Sequence, residues 1–156
     1  MEIIPMGSTK VQYQGVLDDQ KFYNFLRDVL VSAGYAVKET NYIQFSGANY
    51  VIKWVATKVI DDYMAYRIKV NLDYRNIQET MAVKDGNQVK TKTGTVQVEL
   101  VSDIMVDYLN KWTKGVSKLV RPIYDKMNEE VVTQRKAAFE SDVENIKNTI
   151  QSNFNQ

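Results

Sequence analysis

The sequence contains no cysteine and no histidine. Disulfides, thiol nucleophiles and Cys/His zinc sites are therefore excluded, and Ser-His-Asp chemistry lacks its general base. Proline is scarce, with 2 residues, and the 7 glycines are scattered, with no GxGxxG and no P-loop. Gly7-Ser8-Thr9-Lys10 lacks the upstream glycine of a phosphate-binding loop and follows no predicted strand. Neither sign of charge dominates: 20 basic and 19 acidic residues leave a net charge of +1, too little to draw the chain to nucleic acid or an anionic membrane. No stretch approaches the roughly 18 apolar residues needed to span a bilayer, and Met1-Glu2-Ile3-Ile4-Pro5 lacks the basic start and apolar run of a secretory signal. The expectation is a soluble protein, cytoplasmic or virion-associated, without cofactor or metal.

What is present fits one ordinary domain: 156 residues, 44% hydrophobic and 25% charged. The 12 Asn and 10 Gln tolerate exposure without adding charge. Pro5 and Gly7 mark residues 1–9 as an N-terminal extension. From Lys10 to Leu17, Val11, Tyr13 and Gly15 alternate with Gln12 and Gln14, the period of a half-buried strand. A helix follows over Asp19 to Ala33, with Asp18 placed to cap it and Gly34 to stop it. Its stripe is Phe22, Phe25, Leu26, Val29, Leu30 and Ala33.

Strand patterns then fill about seventy residues: Tyr35 to Phe45, Tyr50 to Ile60, Tyr63 to Tyr74, a short hairpin around Asp85-Gly86 within Ile77 to Val89, and Thr95 to Tyr108. Ser46-Gly47-Ala48-Asn49, Asp61-Asp62 and Arg75-Asn76 read as breaks. From about Lys114 the period becomes helical, with Val116, Leu119, Val120, Ile123, Met127 and Val131 in one stripe and a kink expected at Pro122. Phe139, Val143, Ile146 and Ile150 then form a narrow apolar seam spaced four, three and four apart. The expected class is α+β: an antiparallel meander of about five to six strands, a helix after the first strand and a long C-terminal helical segment. The expected divisions are the extension, a domain over 10–130 and a helical arm over 131–156. This order is similar to helix-grip folds, in which a curved sheet wraps a long C-terminal helix; that likeness implies no function.

Four groups of residues are candidates for chemistry or binding. Asp61, Asp62, Asp73, Asp103 and Asp107 could pair as acid and base or hold a divalent cation, but aspartate is a good turn residue and no calcium-loop spacing occurs. Tyr13, Tyr42, Tyr50, Trp54, Tyr63, Tyr66 and Tyr74 lie on strands or strand ends, where they either pack across the sheet or line a ligand cup. Of these, Tyr50, Trp54, Tyr66 and Tyr74 are the cup candidates, and Trp54, in phase with Ile52 and Ala56, is expected to be buried under a helix. Lys84, Lys90 and Lys92 flank the hairpin, where they guard an edge or touch phosphate. Lastly, something must cover the seam, either the chain's own sheet or another subunit; with two other amphipathic helices available for the sheet, the second is favoured.

Lys10-Val11-Gln12-Tyr13-Gln14-Gly15 leading to Asp18, Gly34-Tyr35 with Lys38-Glu39-Thr40, and Ile52-Lys53-Trp54 with Asp61-Asp62-Tyr63 together resemble small uncharacterised proteins of archaeal genomes and their viruses. The resemblance covers roughly residues 10–110 and implies no activity. The leading expectation is a non-enzymatic structural or interaction protein, a viral or other assembly subunit that forms oligomers or joins other components, with a virion or tail as one such assembly. The alternative is a small-ligand carrier with a helix-grip-like cup. An enzyme using Asp, Tyr and Lys ranks third.

Overall fold

The computed structural model describes residues 1–109 and 129–154. The elements are β1 (Glu2–Val16), α1 (Asp19–Ser32), β2 (Ala36–Gln44), β3 (Tyr50–Val59), β4 (Met64–Lys84), β5 (Asn87–Val106) and a C-terminal helix, α2 (Glu129–Phe154). The strands form one antiparallel sheet of five, in the order β1-β5-β4-β3-β2. The α+β class, the strand count and both helix positions match the sequence expectation. The stripe from Val116 to Met127 and the Pro122 kink lie outside the described residues.

β1 and β2 occupy opposite edges, so α1 must carry the chain across the sheet. Five strands put those edges about 19 Å apart, and the 14 residues of α1 span about 21 Å. Asp18 caps the helix by accepting from the Lys21 N–H at 3.1 Å, and Gly34, at φ +95°, supplies the left-handed stop. Phe22, Leu26 and Leu30 point down into the core. Facing them on the sheet are Ile52, Trp54 and Ala56 of β3, Ile68, Val70 and Leu72 of β4, and Val96, Val98 and Leu100 of β5, all buried. Trp54 is 2% exposed, with Tyr23 of α1 edge-on to its ring at 4.8 Å. The opposite face of the sheet is mixed, with Val51, Val55 and Val101 set among Lys53, Lys69 and Glu99, and across it Arg67 donates to both carboxylate oxygens of Asp103 at 2.8 and 2.7 Å.

Three expectations are corrected. Residues 2–9 are not an extension: they belong to β1, which pairs with β5 from Glu2 opposite Val106 onward. Proline is tolerated on an edge strand, and the register shift between Pro5 and Gly7 absorbs it. Arg75-Asn76 does not end a strand. It is a bulge, with Asn76 at φ 54° and the register shifting between Arg75 and Gln78. The 46–49 turn holds it in place: Asn76 N–H donates to Asn49 Oδ1 and Ile77 N–H to the Ala48 carbonyl, both at 2.9 Å. Gly94 lies beneath, where a Cβ would come within 2.4 Å of Ile77 Cδ1. Finally, α2 is no separate arm, since it packs along the helix-covered face of the sheet. It begins near the β3–β4 turn, where Arg135 Nη1 meets Asp61 Oδ2 at 2.6 Å, and it ends with Phe154 stacked on Tyr13 of β1 and Phe22 of α1.

Candidate functional site

The predicted seam is core. Phe139 and Ile150 are fully buried, Ile146 nearly so, and Val143 is half-buried against the same cluster. Phe139 stacks on Tyr66 at 4.4 Å, and the Tyr66 hydroxyl donates to the Arg135 carbonyl at 2.8 Å. Asp142, on the same helix, accepts from Tyr35 Oη and Lys58 Nζ, each at 3.3 Å. A seam engaged this way by its own sheet is not free to dock another subunit. The expectation of an intermolecular cover fails because α2 itself fills the place beside α1 on the sheet.

The four cup residues do not share a cup. Trp54 lies under Tyr23 and Tyr66 under Phe139, so side chains fill the space where a helix-grip cavity would be. Only Tyr50 and Tyr74 come together, stacked at 4.7 Å, with Tyr42 extending the row at 5.8 Å from Tyr50. These rings line an open cleft of about 510 Å³ between the first turn of α1 and β2, which Asp19, Tyr23 and Glu39 also border.

Asp19 is the best-connected group there. Its carboxylate accepts from the Tyr50 hydroxyl, from Lys92 Nζ at 2.9 Å and from the Gln20 N–H at 3.1 Å. Burial opposes its charged form, but the hydrogen bonds from Tyr50 and Lys92 and the Lys92 charge outweigh it and hold the carboxyl below its ordinary range. Burial, with the same contact adding to it, pushes the Tyr50 hydroxyl well above the usual phenol range. Burial raises Tyr74 in the same way. These phenols stay protonated at neutral pH, so they are hydrogen-bond donors rather than bases.

The remaining candidates are scattered among structural tasks. Asp61 accepts from the Tyr63 and Met64 N–H groups at 2.8 and 2.7 Å, forming the β3–β4 turn. Asp62 is exposed beside it. Asp73 pairs with Arg75, Asp103 with Arg67, and Asp107 is buried. No group of three or more metal-ligating side chains occurs among the described residues. Of the hairpin lysines, Lys92 is bound to Asp19, while Lys84 and Lys90 stand exposed.

The sequence reading missed the extent of the β4–β5 hairpin. Beyond the Glu79–Lys92 pair these strands pair, among the described residues, only with each other, because β1 stops at Val16 opposite Thr93 and the β3 pairing starts at Tyr50 opposite Tyr74. The Asp85-Gly86 turn, with φ 54° and 79°, closes this ribbon as the dipeptide predicts. Met81, Val83 and Val89 are 55%, 74% and 43% exposed on it. The available signal was strand length: with Asn76 taken as a bulge, β4 outruns every partner except β5.

Compared with known proteins, the chain matches no protein-family model and no curated protein. No described helix is long and apolar enough to cross a membrane.

Proposed function

We propose that the protein is a non-enzymatic interaction protein, a subunit that joins copies of itself through the β4–β5 ribbon. A virion or tail is the kind of assembly that the sequence resemblance suggests. The observation that supports the reading is the ribbon itself: a two-stranded projection with both edges unpaired among the described residues, and with Met81, Val83 and Val89 in solvent. An isolated hairpin is marginally stable in water, and open edges are templates for further pairing. A second ribbon is a fitting occupant. It offers the same free backbone groups, and its charges are mixed, with Glu79 and Asp85 set against Lys84 and Lys90. The absence of histidine and cysteine from the sequence agrees with a non-catalytic role.

The test is light scattering during size-exclusion chromatography on the full chain and on a variant in which Asn-Gly replaces residues 80–91. The full chain should form a dimer or larger species that dissociates on dilution. The shortened chain should be a monomer that keeps a cooperative unfolding transition. A full chain that stays monomeric when concentrated, or a shortened chain that still associates, would reject the reading.

A further inference from the structure

A second site stands apart from the ribbon. We propose that the cleft between the first turn of α1 and β2 binds a small alkylammonium cation. Its volume of about 510 Å³ falls within the usual range for small-molecule sites. Its floor is aromatic and rigid: the Tyr42, Tyr50 and Tyr74 rings stack in a row across three strands. The central ring is fixed further by its hydroxyl bond to Asp19. Tyr42 closes the row with a ring that is 53% exposed, and the negative face of such a ring attracts a cation.

The charge around the rings selects the same class of ligand. Asp19 and Glu39 both border the cleft. Lys92 offsets Asp19, but among the described residues Glu39 has no ion pair, and only the Tyr23 hydroxyl reaches it, donating to Oε1 at 3.1 Å. Arg27, one turn further along α1, acts on the Tyr23 hydroxyl through its charge without pairing with Glu39. Glu39 Oε2 is thus left to accept from a ligand N–H or to face a quaternary nitrogen. Gln20 donates one of its two amide N–H groups to Asn24 Oδ1 at 3.5 Å, and its carbonyl oxygen is a neutral acceptor at the rim. An anion would meet carboxylates here, and a neutral molecule of equal shape would forgo the attraction of both the ring and the charge.

The probe pair is choline and 3,3-dimethylbutan-1-ol, which have the same shape and differ in charge. Each is titrated into the full chain and followed by amide signals in two-dimensional NMR. Choline should produce saturable shifts confined to residues 19–23 and 39–44, and the neutral alcohol should not. Tyr42→Ala should weaken choline about two- to fivefold, and Glu39→Gln about two- to fivefold; both side chains are exposed, so signals elsewhere should stay in place. The proposal is overturned if the alcohol shifts the same signals equally, if both variants bind choline as the wild type does, or if choline gives no saturable shift up to about 50 mM.

Discussion

β4 and β5 run through two regions of the molecule that differ in what covers them. Over residues 64–74, inward side chains such as Met64, Ile68, Val70 and Leu72 are at most 2% exposed, because α1 and α2 lie on top. Past the Asn76 bulge the same two strands continue, yet Met81 and Val83 are mostly in solvent. The covered stretch alternates apolar and polar side chains, whereas the ribbon runs Gln78-Glu79-Thr80 and then Met81-Ala82-Val83. Alternation specifies an extended strand with two unlike faces, while the layer packed on a face decides whether it becomes core. The bulge marks the boundary and reverses the phase. Even-numbered positions of β4 face the helices before it, whereas Glu79, Met81 and Val83 share the side of Lys92 after it. Stability therefore resides in the covered body, and the ribbon is a surface left open.

The strongest way to break this comparison is to attack the body from its last helix. Val143→Asp combined with Ile146→Asp would put carboxylates against Phe139 and the sheet. An uncompensated buried charge costs about 3–5 kcal/mol, so the pair removes much of a domain stability of about 5–15 kcal/mol. The double variant should lack a cooperative unfolding transition by circular dichroism, whereas native spectra with an unchanged midpoint would return α2 to the status of an arm. Trp54→Ala should cost about 3–5 kcal/mol in denaturant titration; an unchanged midpoint would contradict its place beneath Tyr23.

Alkaline pH probes the same body through its phenols. Tyr35, Tyr50 and Tyr74 are all raised, chiefly by burial, and Asp142 and Asp19 add to the shift at Tyr35 and Tyr50. A folded pKa above the unfolded value near 10 means their stabilisation is complete below about pH 10 and is lost as pH rises toward the folded values. In an ultraviolet titration, part of the tyrosine signal should ionise only together with unfolding. If all ten tyrosines ionise near pH 10 with the fold intact, the stacked row is solvated. The smallest effect belongs to the ribbon: Val83→Ser should change monomer stability by no more than about 0.5 kcal/mol while weakening self-association in dilution experiments. A large loss of monomer stability would mean that the ribbon is part of the body.

Much of the body was legible in the sequence, because local signals and packing agree there. Asp18 and Gly34 bracket α1 as capping chemistry predicts, Asp85-Gly86 makes its turn, and the phase of Trp54 with Ile52 and Ala56 located the buried face of β3. The failures were tertiary. Pro5 and Gly7 look like loop residues until an edge strand accommodates them in a bulge. Asn76 looks like a strand end until Asn49 and Ala48 supply the bulge with hydrogen bonds. The Phe139–Ile150 seam was correctly seen to need a cover, but periodicity does not name the cover, and it is the chain's own sheet. The cleft is half visible in the sequence: Tyr42, Tyr50 and Tyr74 stand among the strand aromatics, with Tyr50 and Tyr74 as cup candidates, while Glu39 and Asp19 join them only through the sheet register and the crossing of α1.

The central claim, a self-sufficient body carrying an uncovered ribbon, is tested most directly by amide hydrogen exchange at low and high protein concentration. At low concentration, the amides of α2 around Phe139 to Ile150 should exchange as slowly as those of β4 at residues 64–74, and those at residues 80–91 should exchange rapidly. At high concentration only the ribbon should gain protection. Fast exchange along α2, or a ribbon already as protected as the body in dilute solution, would contradict the account.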